Sequence, residues 1–308
     1  MRPLFLLLPA ISATLFLAAA PKPAPADDAI RVTTDASIDI DASWSPDGSQ
    51  IAFASTRSGN YDIWVIPAAG GVATQITTDP AVDYCPSWSP DGTLIAFGSD
   101  RSGNRDIWVI ASTGGTAAQI TTDLHDDSHP SWSPDGAHIA FHSDSNGNLD
   151  IWMIPSAGGT ATEITGDPHD DSCPTWSPDG TQIAFASDRG GNDDIWVMPA
   201  AGGAAIPITT SPGSDICPTW SPDGTGIAFT SNRGGNYNIW VIPAAGGIAT
   251  QITDAAYGDH LPDWSPDGCR LAFDSFRGVN YDIWVIAVPG SASATEKNTW
   301  SEIKATYR

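Results

Sequence analysis

The residues able to do chemistry in this 308-residue chain recur on a fixed interval. Asp39, Asp83, Asp127, Asp171, Asp215 and Asp259 each stand five positions before a tryptophan, 44 residues apart. Gathered at one end of a symmetric fold, six carboxylates would attract Ca2+, another cation or a basic peptide. Each could equally accept backbone N–H bonds within its own loop, or pair with an arginine of a nearby hairpin. The two roles are compatible, since a hydrogen-bonded aspartate keeps its charge. The third repeat adds imidazoles: His125, His129 and His142, with Asp126, Asp127 and His169 near them. Imidazole with carboxylate is a donor set for Zn2+, Mn2+ or Cu2+, which makes His125, His129 and His142 the candidate metal ligands. The competing reading is a set of polar loop histidines that never converge, because their spacing lacks the tightness of a metal signature.

What must position these residues is a repeat. WSPDG begins at Trp44, Trp88, Trp132, Trp176, Trp220 and Trp264, and a DIW or NIW motif places Trp64, Trp108, Trp152, Trp196, Trp240 and Trp284 on the same interval. A period of this length marks supersecondary units that bury their faces against one another. Each unit reads as four short strands, in the second unit 85–89, 94–99, 106–111 and 117–121. Ser89-Pro90-Asp91-Gly92 suits a type I turn, with proline second and glycine fourth. The third strand is apolar on both alternating faces, as a sheet covered on both sides requires. The first strand carries Pro86, matched by Pro130, Pro174, Pro218 and Pro262, and proline belongs on an edge where its missing N–H breaks no ladder. Four antiparallel strands, two covered faces and a proline-bearing inner edge describe one blade of an all-β, six-bladed β-propeller. Residues 30–35 repeat the pattern of 74–79 without a blade of their own, so they are predicted to complete the sixth blade from its outer edge and close the ring.

The run from Pro86 to Trp108, PSWSPDGTLIAFGSDRSGNRDIW, resembles the TolB-type (WD40-like) propeller repeat of bacterial envelope proteins. The resemblance covers residues 30–288. It implies a six-bladed scaffold in a periplasmic or secreted protein that binds a protein or peptide. The same blade occurs in propeller lyases and beside peptidase domains. This chain has no Gly-x-Ser-x-Gly nucleophile elbow, and few residues separate its apolar start from the first strand, so a bare propeller is expected.

Charge and composition narrow the partners. The chain has 13 basic against 36 acidic residues, all but Glu163, Glu296 and Glu302 of the latter being aspartate, for a net charge of −23. Such a surface repels phosphate, which excludes nucleic acid and anionic lipid as natural partners. Met1-Arg2, the apolar run 4–20 and the small residues ending at Ala26 read as a signal peptide over 1–26, with no membrane span after its cleavage. The propeller then occupies 27–288. A tail over 289–308 follows, with a short helix placing Trp300, Ile303 and Tyr307 on one face. Arg57, Arg101, Arg189, Arg233 and Arg277 share one hairpin column, with Ser145 as the exception, and are expected to meet a local acid such as Asp62 or Asp106. Another column reads Asp41, Cys85, His129, Cys173, Cys217 and Leu261 at the start of the innermost strand. Cys173 and Cys217 are equivalent positions in neighbouring blades, about 8–10 Å apart by ring geometry and beyond the span of an unstrained bridge. Buried free thiols are therefore expected there, with Cys269 exposed at a turn. The reading that results is a non-catalytic propeller binding a protein or peptide, of basic character, at an acidic channel mouth through Asp83, Asp127, Asp171, His125, His129 and His169, with Tyr84 and Tyr257 adding contact area. Ca2+ or a transition metal is the cofactor this leaves open. The alternative is a metal-assisted lyase or hydrolase using His125, His129 and His142.

Overall fold

The computed structural model describes residues 28–289; the expected signal peptide and the tail helix lie outside them. Six four-stranded antiparallel sheets stand around a central channel, and no helix forms among the described residues. In the second blade the strands run Asp83–Trp88, Leu94–Ser99, Asp106–Ala111 and Ala118–Gln119. The inner strand thus begins two residues earlier than expected, and the outer one is only two residues long. Proline-bearing inner strands line the channel, with Pro86, Pro130, Pro174, Pro218 and Pro262 all on its wall.

Why the blades stack follows from strand alternation. In each second strand the large residues face one way and the small ones the other. Ile95 and Phe97 therefore lie in one cluster with Ala52, Ala54, Ile63 and Val65 of the preceding blade. The same big-face-on-small-face arrangement joins the second to the third blade, the third to the fourth, the fourth to the fifth and the fifth to the sixth. The core is therefore between blades and not within any one of them. Phe53, Phe97, Phe141, Phe185, Phe229 and Phe273 are all fully enclosed, and truncating such a residue to alanine costs about 3–5 kcal/mol.

The ring closes with the predicted segment. Ile30 and Arg31 pair antiparallel with Val285 and Trp284, and the Val32 amide donates to the Ile283 carbonyl at 2.8 Å. Arg31 forms an ion pair with Asp282 at 2.7 Å. Val32 is buried with Phe53 of the first blade and Val285 of the sixth, so the seam carries the same packing as the other interfaces. The WSPDG turns add a second ring. Gly92 has φ +72°, and a Cβ there would stand 3.3 Å from Pro46 of the preceding turn; Gly48 likewise faces Pro266 across the seam at 3.2 Å.

Removing residues 28–35 is expected to lower the thermal midpoint by on the order of 5–10 °C, followed by circular dichroism. Gly92→Ala forces a Cβ into both a left-handed backbone and a proline contact, and should cost about 1–2 kcal/mol.

Candidate functional site

The six recurring aspartates are not displayed at the channel mouth. Asp39, Asp83, Asp127, Asp171, Asp215 and Asp259 are all 0% exposed. Five are capped by the hairpin arginine of their own blade: Arg57–Asp39 at 2.8 Å, Arg101–Asp83 at 2.7 Å, Arg189–Asp171 at 2.6 Å, Arg233–Asp215 at 2.5 Å and Arg277–Asp259 at 2.7 Å. Each guanidinium also lies between two rings of its blade, as Arg101 does 5.2 Å from Phe97 and 4.8 Å from Trp108. Its Nε donates to Ser99 Oγ at 2.8 Å. The arginines thus meet these aspartates and not Asp62 or Asp106; Asp106 instead accepts from Thr121 Oγ1 at 3.2 Å and Gln119 Nε2 at 3.0 Å. Burial pushes the Asp39, Asp83 and Asp171 carboxyls above the ordinary range, and the serine and arginine bonds pull the other way. For Asp83 and Asp171 this corrects the picture of acids offered to a partner, because both carboxylates are already enclosed and neutralised.

Asp127 is the exception, because Ser145 stands where its arginine would be. Neither of its oxygens has a well-formed hydrogen bond, although Ser143 stands opposite it in the sheet. Burial pushes its pKa up to about 7, with Ser143 and Thr121 only partly opposing the rise. The two loop histidines sit in equivalent exposed positions. His125 Nδ1 is 3.6 Å from Asp144 and His169 Nδ1 is 3.0 Å from Asp167. His125 therefore does not join a metal set with the other two histidines of its repeat.

His129 and His142 do meet, with ring centroids 4.7 Å apart, His129 on the channel wall of the third blade and His142 buried on the strand behind it. The backbone explains how. Each inner strand carries a bulge, seen as a register shift such as that between Ser128 and Ser131. The bulged residue has positive φ in all six blades: Asp41 at 60°, Cys85 at 50°, His129 at 53°, Cys173 at 52°, Cys217 at 52° and Leu261 at 51°. That conformation turns the whole column into the channel. Cys173 comes with it, its sulfur within 4.8 Å of the His129 and His142 ligand nitrogens. Cys173 and Cys217 are unbonded, but their sulfurs lie 3.3 Å apart, much closer than ring geometry alone anticipates. Cys269 is buried, against expectation, under the sixth WSPDG turn.

The charges in this column are interlocked. The thiol–thiol contact with Cys217, with His129 and His142 nearby, lowers the Cys173 pKa despite burial, while the same contact and burial raise that of Cys217. Burial works against a charged His129, but the neighbouring Cys173 and Cys85 outweigh it and hold that imidazole above its ordinary value. Burial, helped by His129, drops His142 to about 3. Burial and Asp41 push the Cys85 thiol up to about 12.

A third feature, on the loop face of the last blades, is an aromatic cluster. Tyr257 meets Phe276 edge-on at 6.2 Å, Phe276 meets Tyr281 at 5.4 Å, and His260 lies 5.1 Å from Tyr237 and 6.3 Å from Tyr281. Tyr257 is 52% and Phe276 37% exposed, with Val279 at 86% beside them. Only Tyr257 is picked out by sequence; the sixth repeat's departure from pattern, Phe276-Arg277-Gly278-Val279-Asn280-Tyr281, is the signal that marks the rest.

The vacancy opposite Asp127 makes a sharp prediction. Ser145→Arg should stabilise the fold by roughly 1–3 kcal/mol, while Arg101→Ala in the second blade should cost about 3–5 kcal/mol, both from denaturant midpoints. Folding raises the Asp127 pKa from 3.8 to about 7, so the folded chain binds this proton more tightly than the unfolded one. Its contribution is full below about pH 4, falls as pH rises and is gone above about pH 7. Asp127→Asn should remove that slope from the stability profile, and an unchanged slope would contradict the assignment.

Comparison with known proteins agrees with the architecture. The TolB beta propeller domain family matches residues 27–129, and the Tricorn protease N-terminal beta propeller domain family matches 102–192 and 190–306. Among solved structures, a putative TolB from Agrobacterium tumefaciens superposes with a TM-score of 0.70 at 24% identity, covering 85% of this chain and 97% of that one. TolB from Acinetobacter baumannii gives 0.65 at 22% identity, covering 82% and 63%. An oligogalacturonate lyase from Vibrio parahaemolyticus gives 0.62 at 13% identity, covering 87% and 96%. A search of curated proteins finds no match. With its repeat, its closed ring and two propeller families spanning its blades, the chain belongs to the TolB-type six-bladed β-propeller family.

Proposed function

We propose that this chain is a non-catalytic, TolB-like scaffold, exported to the periplasm or beyond, that binds a protein or peptide of basic character on its loop face. The observation that carries the reading is the aromatic cluster of Tyr257, Phe276 and Tyr281, partly exposed beside Val279. Clustered rings with one polar end are what protein interfaces use as anchors, since they bury large area at little entropic cost. Around them the chain carries a net charge of −23, which favours encounter with cationic partners. With all six recurring aspartates buried and five of them capped by arginine, the attraction comes from exposed loop acids such as Asp126, Asp144 and Asp170. His125 and His169 stand on the same face and remain within a partner's reach. The likeness to TolB structures supports the scaffold role. The lyase or hydrolase reading takes second place, because the likeness to the lyase is one of fold and His125 stands away from the His129–His142 pair.

Fluorescence anisotropy with a labelled lysine- and arginine-rich peptide tests this. Affinity should fall as salt rises from about 50 to 500 mM, and Tyr257→Ala combined with Phe276→Ala should weaken binding by about tenfold or more. Binding that ignores both salt and the aromatic pair would sink the proposal.

A further inference from the structure

The bulge column of the channel is expensive to build from the residues found there. A positive φ suits glycine, asparagine or aspartate, and costs other residues about 1–2 kcal/mol. Of the six, Asp41 and His129 are residue types that take it more readily; Cys85, Cys173, Cys217 and Leu261 are not. The strained conformation nonetheless directs three thiols and an imidazole into a channel enclosing about 150 Å³. Blades 3, 4 and 5 bring their donors together. His129, His142 and Cys173 offer ligand atoms within 4.8 Å of one another, and Cys217 Sγ lies 3.3 Å from Cys173 Sγ. Ser128 Oγ sits 3.0 Å from His129 Nδ1, the kind of outer contact that fixes the orientation of a metal-bound imidazole.

We propose that the channel binds one thiophilic transition-metal ion, Zn2+ in its chemistry, through His129, His142 and Cys173 with Cys217 as the fourth ligand. Two nitrogens and two sulfurs form a tetrahedral zinc set. Thiolate and imidazole select such ions over the oxygen-seeking Ca2+, Mg2+ and Mn2+. Donors around a zinc at 2.0–2.3 Å lie roughly 3.3–3.8 Å apart, so side-chain rotation has to draw the widest pair among His129, His142 and Cys173 in by about 1 Å and swing Cys217, already beside Cys173, toward the two imidazoles. The Cys173 amide donates to His142 Nδ1 at 3.2 Å, and metal ligation at that nitrogen replaces the bond. The two thiols bind as thiolates and release their protons to water. The site is independent of the loop-face partner reading, and either can fail without the other.

The full chain is purified under reducing conditions, stripped with a chelator, and titrated with Zn2+, Co2+ and Mn2+. The expected result is one tightly held zinc by elemental analysis, and a cobalt form with sulfur-to-cobalt charge-transfer absorption and tetrahedral visible bands. Cys173→Ser and His129→Gln should each weaken zinc binding by about 100-fold or more, while Cys269→Ser should leave it unchanged. Circular dichroism melts show whether the variants fold, and the wild-type cobalt spectrum decides independently of them. The proposal is overturned by a chain that takes up no zinc or cobalt, by a cobalt spectrum without sulfur ligation, or by preference for Mn2+. A freshly purified chain that lacks two free thiols on denaturation and holds no metal overturns it as well, since that marks a Cys173–Cys217 disulfide.

Discussion

A blade of this chain has two apolar faces and can cover neither by itself. That constraint organises the rest. Phe97 needs the alanines of the blade before it, and Ala96 of its own blade is covered by the blade after it. A linear stack would leave one large face and one small face in water at its ends. The ring removes both ends, and pairing Ile30 and Arg31 with the last strand makes the seam as continuous as any other interface. The Gly–Pro contacts between WSPDG turns run round the same circle. Channel diameter and loop spacing follow from the packing distance between blades, so every site described above inherits its geometry from side chains remote from it.

The loop face is held by a charged device that works only because it is fully satisfied. A buried aspartate or a buried arginine alone would cost several kcal/mol. Here the guanidinium is bonded to the carboxylate and a serine, and both its faces rest on aromatic rings. The asparagines of the same hairpins extend the hold by donating to the carbonyls of the segment leading into the next blade, as Asn104 does to Asp123 and His125. The third blade keeps the acid and the rings but lacks the cation, and so concentrates an uncompensated proton-binding group in an otherwise neutralised ring.

Much of this was legible in the residues. The 44-residue interval, the turn chemistry and the orphan fourth strand at 30–35 dictate a closed propeller on their own. The absence of arginine at Ser145 was visible too. What could not be read was which of two uses the aspartates serve, because a carboxylate near a loop looks the same whether it faces water or an arginine folded back eighteen residues later. The bulge was hidden for a different reason. Positive φ is announced by glycine or asparagine, and Cys85, His129, Cys173 and Leu261 announce nothing. A strand counted with simple alternation misdirects each of these side chains. The proximity of Cys173 to His142 depends on that misdirected residue, so it too escaped.

The distribution of departures from the repeat is itself informative. Positions identical in all six units serve the blade: the WSPDG turn, the alanine and phenylalanine in the middle of the second strand and the hairpin asparagine. A symmetric ring spends its symmetry on stability and leaves a single asymmetric site to whichever columns are free to vary. Two columns vary with chemical purpose. One faces the channel through strained backbone and gathers sulfur and imidazole in neighbouring blades. The other faces outward at the sixth blade, where Phe276 replaces a polar residue and Val279 a glycine of the other hairpins, beside Tyr281. The two lie at different depths and share no residue, and each draws rigidity from the same ring. A scaffold of this kind can therefore carry an inner site and an outer surface with separate chemistry, because what couples them is a core that neither one needs to move.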